Sequence, residues 1–302
     1  MSFPEVAGAG SNAGCVFAAL RESIADLPPW LVPFRALAER LIASQADSIA
    51  QALNLFQSRS DSIVQFVPQS ALPESEAYEA YIAKTGCVPT RDNLHDLFNG
   101  IMWLTFPQTK RRMNLLQADE IARAGVSGSR GALRDALTVF DENGAILQAP
   151  PCLSSALRDK DWNALFITHR DAWQSARLVL FGHALLEKLM RPRKATTAHV
   201  WCVDEISDDA LAASLLPERL VEKPFSPLPV LGVPGWCDAN EDPQFYRDAA
   251  VFRLRSAPVA MEDDSTRRTE SDATQSTQES LGREECLAAE NAKKSEFDHH
   301  EG

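Results

Sequence analysis

The chain has 302 residues, 45% of them hydrophobic and 24% charged, which is enough apolar content to bury a substantial core in one large or two modest domains. Its formal net charge of −12 argues against nucleic-acid binding, because phosphate backbones are met by clustered Lys and Arg. No apolar run reaches the roughly 18–20 residues of a membrane-spanning helix, and the first residues lack the basic-then-apolar order of a secretory signal, so a cytoplasmic protein without a membrane partner is expected.

Residues 1–15 are rich in Gly and Ala and are expected to be flexible. After the Pro28-Pro29-Trp30 and Pro33 punctuation, Phe34, Leu37 and Leu41, then Ile49, Leu53 and Phe56, recur at helical spacing. Residues 63–67 alternate as a short strand ended by Pro68, and residues 74–84 read as a helix closed by Gly86. Thr90, Asp92 or Asn93 can cap the next helix, which runs to Phe106 and stops at Pro107. Residues 136–139 and 145–147 are β-capable, and the Asn143-Gly144 step between them predicts a β-hairpin. A long helix is expected over 171–190, ending at Pro192, and a strand over 199–203. Residues 225–236, with Pro224, Pro227, Pro229 and Pro234, read as an extended wrapping segment.

From Ser256 to Gly302 the chain carries 12 acidic and 5 basic side chains, a net −7 of its −12, and few apolar anchors. Such a segment cannot offset its ordering entropy, so residues 258–302 are expected to be a disordered acidic tail, with a short helix near 283–294. Six cysteines are scattered without a Cys-x-x-Cys pair, which fits reduced thiols better than a zinc knuckle or a redox motif. The fold expected from these readings is mainly helical α+β. It is a single domain over 16–257 with a small β-hairpin or short sheet.

Four runs then stand out in chain order. Residues 88–99 read Val-Pro-Thr-Arg-Asp-Asn-Leu-His-Asp-Leu-Phe-Asn, and 134–142 read Arg-Asp-Ala-Leu-Thr-Val-Phe-Asp-Glu. Residues 181–188 read Phe-Gly-His-Ala-Leu-Leu-Glu-Lys, and 227–236 read Pro-Leu-Pro-Val-Leu-Gly-Val-Pro-Gly-Trp. Together they resemble the successive blocks of a bacterial family of unknown function, DUF3025, over nearly the whole core. The tail after Arg255 lies outside the resemblance, which implies membership but no activity, cofactor or catalytic residue.

Two helical pairs carry the chemistry. His95 and Asn99, like His183 and Glu187, are four residues apart, so each pair projects from one helix face. Helices packed face to face would bring the two imidazoles within roughly 4–7 Å of each other or of a shared ion. Asp96, Asp135, Asp141 and Glu142 could add carboxylate oxygens. His95, Asp96, His183 and Glu187 are therefore the candidate catalytic residues, with His95, His183 and Glu187 as ligands of a divalent metal such as zinc, manganese or iron. Neither His-Glu-x-x-His nor Glu-x-x-His is spelled, and the competing reading is that the same residues form a buried polar network that locks helix to helix.

A basic cluster, Arg91, Lys110, Arg111, Arg112, Arg130 and Arg134 with Asn114 nearby, could meet an anion, helped by the glycine-rich stretch 125–131. The competing reading is a solvated turn whose arginines pair with Asp92, Asp119, Glu120 and Asp135. Arg91, Asn99, Arg134 and Asp141 are the candidate substrate contacts. These residues predict a hydrolase or lyase acting on a small anionic substrate, with metal assistance. The alternative is a non-catalytic binding or scaffold protein whose segment 225–236 meets a partner.

Overall fold

The computed structural model describes residues 12–56, 63–124 and 131–254. Helix α1 (Ala13–Ala25) buries Ala13, Val16, Phe17 and Leu20, so this helix starts inside the segment expected to be flexible; residues 1–11 lie outside the described residues. A 3-10 turn over Pro29–Phe34 leads into α2 (Arg35–Ala43), and Ser48 caps α3 (Ile49–Asn54) by accepting the Gln51 N–H. Strand β1 (Gln65–Pro68) is followed by α4 (Tyr78–Thr85), which Gly86 closes in the left-handed region at φ +68°. Strand β2 (Cys87–Thr90) pairs parallel to β1, with Phe66 opposite Val88.

Helix α5 (Leu94–Thr105) starts where its capping residue predicts: Asn93 Oδ1 accepts the Asp96 N–H at 2.7 Å. Helix α6 (Pro107–Ala124) follows at once, and Phe106 before it offers no side-chain acceptor to cap it. Its first turn is satisfied from elsewhere in the chain. Asp208 accepts the N–H groups of Gln108 (2.7 Å) and Thr109 (2.9 Å) and the Thr109 hydroxyl (2.7 Å). An anion at a helix N-terminus also complements the helix dipole. Asp208→Ala is therefore expected to cost about 1–2 kcal/mol, read as a lower urea midpoint with an unchanged slope.

Helix α7 (Ala132–Asn143) overturns the predicted hairpin. The β-capable run at 136–139 is helical because Leu133, Ala136, Leu137 and Phe140 recur at helical spacing and all four are buried. The Asn143-Gly144 step is a helix-to-strand junction, and Gly144 has an ordinary extended backbone at φ −71°. Strand β3 (Gly144–Gln148), α8 (Pro151–Asp159), strand β4 (Arg177–Leu180) and helix α9 (His183–Lys188) come next. The long helix expected over 171–190 thus divides into a 3-10 turn (Arg170–Ser175), β4 and α9. Its apolar residues are satisfied by pairing with β3, a nonlocal partner that periodicity cannot reveal.

The chain continues through β5 (Thr197–Cys202), α10 (Asp208–Ser214), α11 (Pro217–Leu220) and β6 (Ser226–Pro229). The larger sheet has the order β4-β3-β5-β6, with β3 and β5 parallel and the two outer pairings antiparallel. Segment 225–236, expected to wrap without regular structure, supplies the edge strand β6 and then buries Val230, Leu231 and Val233. Proline is tolerated there because an edge strand needs ladder donors on one side only. The N–H of Val230 donates inward to Thr196 O, so the two-residue repeat turns positions 226 and 228 inward and Pro227 and Pro229 outward.

The core is one cluster of buried apolar side chains, and its aromatic layer lies next to the residues of interest. Phe140 stacks on Phe181 (centroids 4.8 Å apart) and on Phe225 (5.3 Å), one residue before Asp141 and two before His183. Rings held in this way anchor the ends of α7 and α9. The described residues form a mainly helical α+β fold and belong to a unit that ends at Arg255. The acidic tail expected from 258 and its helix at 283–294 lie outside the described residues. Among the described residues, no helix is long and apolar enough to cross a membrane.

Candidate active site

Three helices bring the site together. Helix α5 presents His95 in its first turn, α7 presents Asp141 and Glu142 in its last, and α9 presents His183 and Glu187 on one face, one turn apart. The two histidines meet directly. His183 Nε2 lies 3.0 Å from His95 Nε2, with the rings edge to face at 80°. The approach is closer than the 4–7 Å expected from spacing alone.

Each imidazole turns its other nitrogen to a carboxylate. His95 Nδ1 is 3.0 Å from Glu187 Oε2, and His183 Nδ1 is 3.8 Å from Asp141 Oδ2. Glu142 Oε1 is 3.7 Å from His183 Nε2, so donor atoms of His95, His183 and Glu142 all lie within 4.8 Å of one another. His183 is buried, whereas the His95 side chain is 32% exposed and that of Glu187 42%, so the pair opens to solvent on the His95 side.

Protonation follows from the partners. His95 must carry a proton on Nδ1 to donate to Glu187. If both rings are neutral, His95 Nε2 is then a lone pair, and His183 has to place its proton on Nε2. That leaves the Nδ1 lone pair of His183 facing the Asp141 carboxylate, and Nδ1 is indeed a buried nitrogen without a hydrogen-bond partner. One added positive charge resolves the conflict. A second proton on His95, or a cation between the two Nε2 atoms, lets both Nδ1–H groups point at carboxylates. Burial, with Lys110 and His95 adding repulsion and Asp141 opposing, lowers the His183 pKa to about 4, so the His183 ring is neutral near neutral pH.

A polar layer lies beneath the pair. Lys110 Nζ, on α6, donates to Asp141 Oδ1 (2.5 Å) and to Asn99 Oδ1 (2.8 Å), and Asn99 Nδ2 donates to Tyr78 OH (3.2 Å). Burial would raise the Asp141 pKa, but the adjacent Lys110 ammonium, with His183 and His95, brings it below the usual carboxylate value. Asn114 donates to the Glu79 carboxylate and to its carbonyl. Tyr78, Glu79, Asn99, Lys110, Asn114 and Asp141 surround a small polar cavity with room for about one water molecule. Burial, reinforced by Asp141 and opposed by Asn114, Lys110 and Arg134, pushes the Glu79 pKa up to about 7.

Of the residues expected from the sequence, His95, His183, Glu187 and Asp141 come together, with Asn99 one layer below. Glu187 is on the outer nitrogen of His95 rather than among the converging donors, and the third converging donor is Glu142. Asp96 is not part of the group. It completes the cap of α5, accepting the Arg91 N–H at 2.6 Å and the Arg91 guanidinium at 3.0 and 3.1 Å. Arg91 is thereby engaged away from the histidines. Arg134 has a buried Nε and lies near enough to Glu79 to oppose its raised pKa, and Lys110, expected in an anion-binding basic cluster, is 5% exposed and bound to Asp141. Arg130 and most of the 125–131 stretch lie outside the described residues.

The sequence reading did not find Tyr78, Glu79 or Gln117. The available signal was on α6, where Lys110, Asn114 and Gln117 share a helical face and all three are buried.

All of these site residues fall within the match to the family model described as Protein of unknown function (DUF3025), which spans residues 64–256. The chain belongs to the DUF3025 family. The match contains the four runs singled out above and all three helices of the site, while α1, α2 and α3 precede it. No curated protein and no solved structure matches this DUF3025 chain.

Proposed function

We propose that this DUF3025 protein is a metal-assisted enzyme of the hydrolase or lyase class, acting on a small anionic substrate. The observation that supports it is the tautomer conflict of the His95–His183 pair, which a cation held by both Nε2 atoms removes. The donor set fits a catalytic divalent ion: two imidazoles and one carboxylate, with coordination positions left for water or substrate. With metal–nitrogen bonds of about 2.0–2.1 Å, two imidazoles at right angles hold their nitrogens about 3 Å apart, and the Nε2 separation is 3.0 Å. His95, His183 and Glu142 would hold the ion, which when bound supplies a water acidified toward neutral pH.

The protein's own residues do the rest. Glu187 fixes the His95 tautomer from its outer nitrogen, and Asp141 is placed to do the same for His183, the usual partners of metal-bound histidine. The Lys188 ammonium, on the exposed face of α9 beside Glu187, donates to Asn143 Oδ1 at 2.7 Å and stands close enough to Glu142 to oppose its raised pKa. It supplies positive charge for an anionic substrate on the side where Arg91 and Arg134 do not. Unpaired Cys15, Cys87, Cys152, Cys202 and Cys237 support a reducing compartment, which we take to be the cytoplasm.

Calorimetric titration of the native protein with Zn²⁺, Mn²⁺ and Co²⁺ tests the reading. One ion per chain is expected to bind with proton release, since the ligands must be deprotonated. His183→Ala and Glu142→Gln should each weaken binding by at least tenfold in folded protein. Metal-loaded wild type should hydrolyse or cleave members of a panel of small phosphate and carboxylate esters, and His183→Ala should not. A folded wild-type protein that binds none of the three ions would overturn the metal reading.

The scaffold alternative draws on the closed Lys110–Asp141–Asn99–Tyr78 layer, which is a satisfied network. Its partner-binding segment is not available as first read, because Leu228, Val230, Leu231 and Val233 are buried in the core.

A further inference from the structure

Away from the histidines, the edge strand β6 borders a second cleft, of about 350 Å³, inside the range of small-molecule sites, roughly 300–1,000 Å³. It shares no residue with the histidine group, whose helix α9 follows the opposite edge strand, β4. Its walls are Trp162, Pro227, Pro229 and Val251, and its charged members are Lys160 and Arg253. No carboxylate of the described residues lines it. The apolar walls are set in advance of any ligand. Trp162 is buried, its Nε1–H donates to the Arg253 carbonyl at 2.9 Å, and its ring lies parallel to Phe166 (6.1 Å) and edge-on to Phe252 (6.1 Å). An indole fixed in this way and two pyrrolidine rings lose little rotamer freedom when a ligand arrives.

Both cations stand beside that indole, Lys160 two residues before it and Arg253 through the carbonyl that accepts its N–H. Arg253 gives its Nε–H to Ala250 O at 3.1 Å, and neither cation has a carboxylate partner among the described residues. The acids on either side of Lys160 are engaged elsewhere. Asp161 Oδ1 accepts the Ala164 N–H at 2.8 Å, and Asp159 accepts the Ser155 hydroxyl at 3.4 Å. Lys160 also closes α8 in the left-handed region at φ +55°, where glycine or asparagine is the ordinary choice. A lysine there keeps a cation at the cleft against the backbone's own preference.

We propose that this cleft is a second binding site, for a small molecule with a flat apolar body and one anionic group, a carboxylate or a phosphate. An extended peptide does not suit it, because Pro227 and Pro229 lack the N–H donors that a pairing strand needs. A flat ring packs on indole and pyrrolidine without those donors, while its anion meets Lys160 and the Arg253 guanidinium. The site stands or falls independently of the metal reading.

Calorimetric titration of the full chain, with a chelator present, by naphthoate, naphthylphosphonate and the uncharged naphthylmethanol tests it. One anion per chain should bind, at least about tenfold more tightly than the alcohol, the scale of a charge-assisted hydrogen bond. The tighter of the two anions identifies the head group. Lys160→Gly and Arg253→Gln should each weaken binding by about tenfold. Lys160→Gly separates function from structure: relief of the left-handed backbone should leave its melting temperature at or above wild type, whereas a lysine retained for stability would lower it. Ala195→Trp, at an exposed position on the cleft wall, should block binding in a protein that melts as wild type does. His183→Ala should bind both anions as wild type does.

Folded wild type that takes up neither anion at millimolar concentration overturns the inference, as does equal affinity for the alcohol. Binding that survives Ala195→Trp places the ligand elsewhere and also overturns it. Binding lost in His183→Ala but kept in Lys160→Gly assigns the anions to the histidine group instead, and this site falls.

Discussion

Glu79→Gln is expected to make the stability of the metal-free protein rise steeply with pH relative to wild type. The reason is a pair of opposed titrations. His183 has its pKa lowered to about 4 from an ordinary 6.5. The unfolded chain therefore binds more protons between those values, and stability from this group is complete above 6.5 and lost as the pH falls to 4. Glu79 is raised from 4.5 to about 7, so the folded chain binds more protons, and stability from this group is complete below 4.5 and lost as the pH rises through 7. Each shift corresponds to about 3 kcal/mol at most, at 1.36 kcal/mol per unit. In wild type the two slopes largely cancel between pH 4.5 and 6.5. Gln at position 79 does not titrate, so the variant's gain over wild type should grow by up to about 3 kcal/mol from pH 4.5 to 7. His183→Gln should show the opposite trend. Urea denaturation across this range, with a chelator present, checks both. A constant difference between Glu79→Gln and wild type would show that Glu79 keeps an ordinary pKa.

Gly182→Ala should abolish metal binding while costing roughly 1–3 kcal/mol or more of stability, the scale of overpacking. A methyl group at Gly182 would lie 2.5 Å from the Glu142 carbonyl oxygen and 2.6 Å from Asn143 N and Cα. All three are backbone atoms, so no rotamer change relieves the contact. Helix α9 must then withdraw from the end of α7, separating His183 and Glu187 from Glu142. Gly100→Ala provides the comparison. Its methyl group would meet Leu53 Cδ1, so the obstacle is a side chain rather than backbone. Gly100→Ala should therefore lose stability yet retain a metal affinity within a few fold of wild type. Thermal melts paired with calorimetric titration separate the two cases. Equal loss of binding in both would mean that the site fails through general destabilisation, and the α7–α9 contact would have no special place.

What the sequence disclosed and what it withheld divide along local and nonlocal lines. Helix α5 was legible because its signals are its own: Asn93 caps it and Pro107 follows its end. The tail of α7 was misread because Thr138, Val139 and Phe140 favour strands and Asn143-Gly144 favours a tight turn. Burial of Leu133, Ala136, Leu137 and Phe140 on one face outweighs those local preferences. Strand β4 exists because β3 is beside it, and no pattern within residues 177–180 states that.

The site shows the same division. Spacing within α5 and within α9 says which side chains share a face, whereas the approach of His95 to His183 depends on how the two helices pack. Spacing could not say that Glu187 would reach across to the outer nitrogen of His95, nor that the nearer carboxylate would be Glu142. Those outcomes depend on how α7 approaches α9, which Gly182 and the stacked Phe140 and Phe181 rings decide.

Strand β6 also bears on how this protein behaves in a crowded solution. Its outward positions 227 and 229 are prolines, so that side of the strand presents carbonyl acceptors but no N–H donors there. A second chain laid along that side would find half of its ladder missing. Growth of the sheet by recruitment of another strand is disfavoured at this end, a built-in protection against β-mediated aggregation.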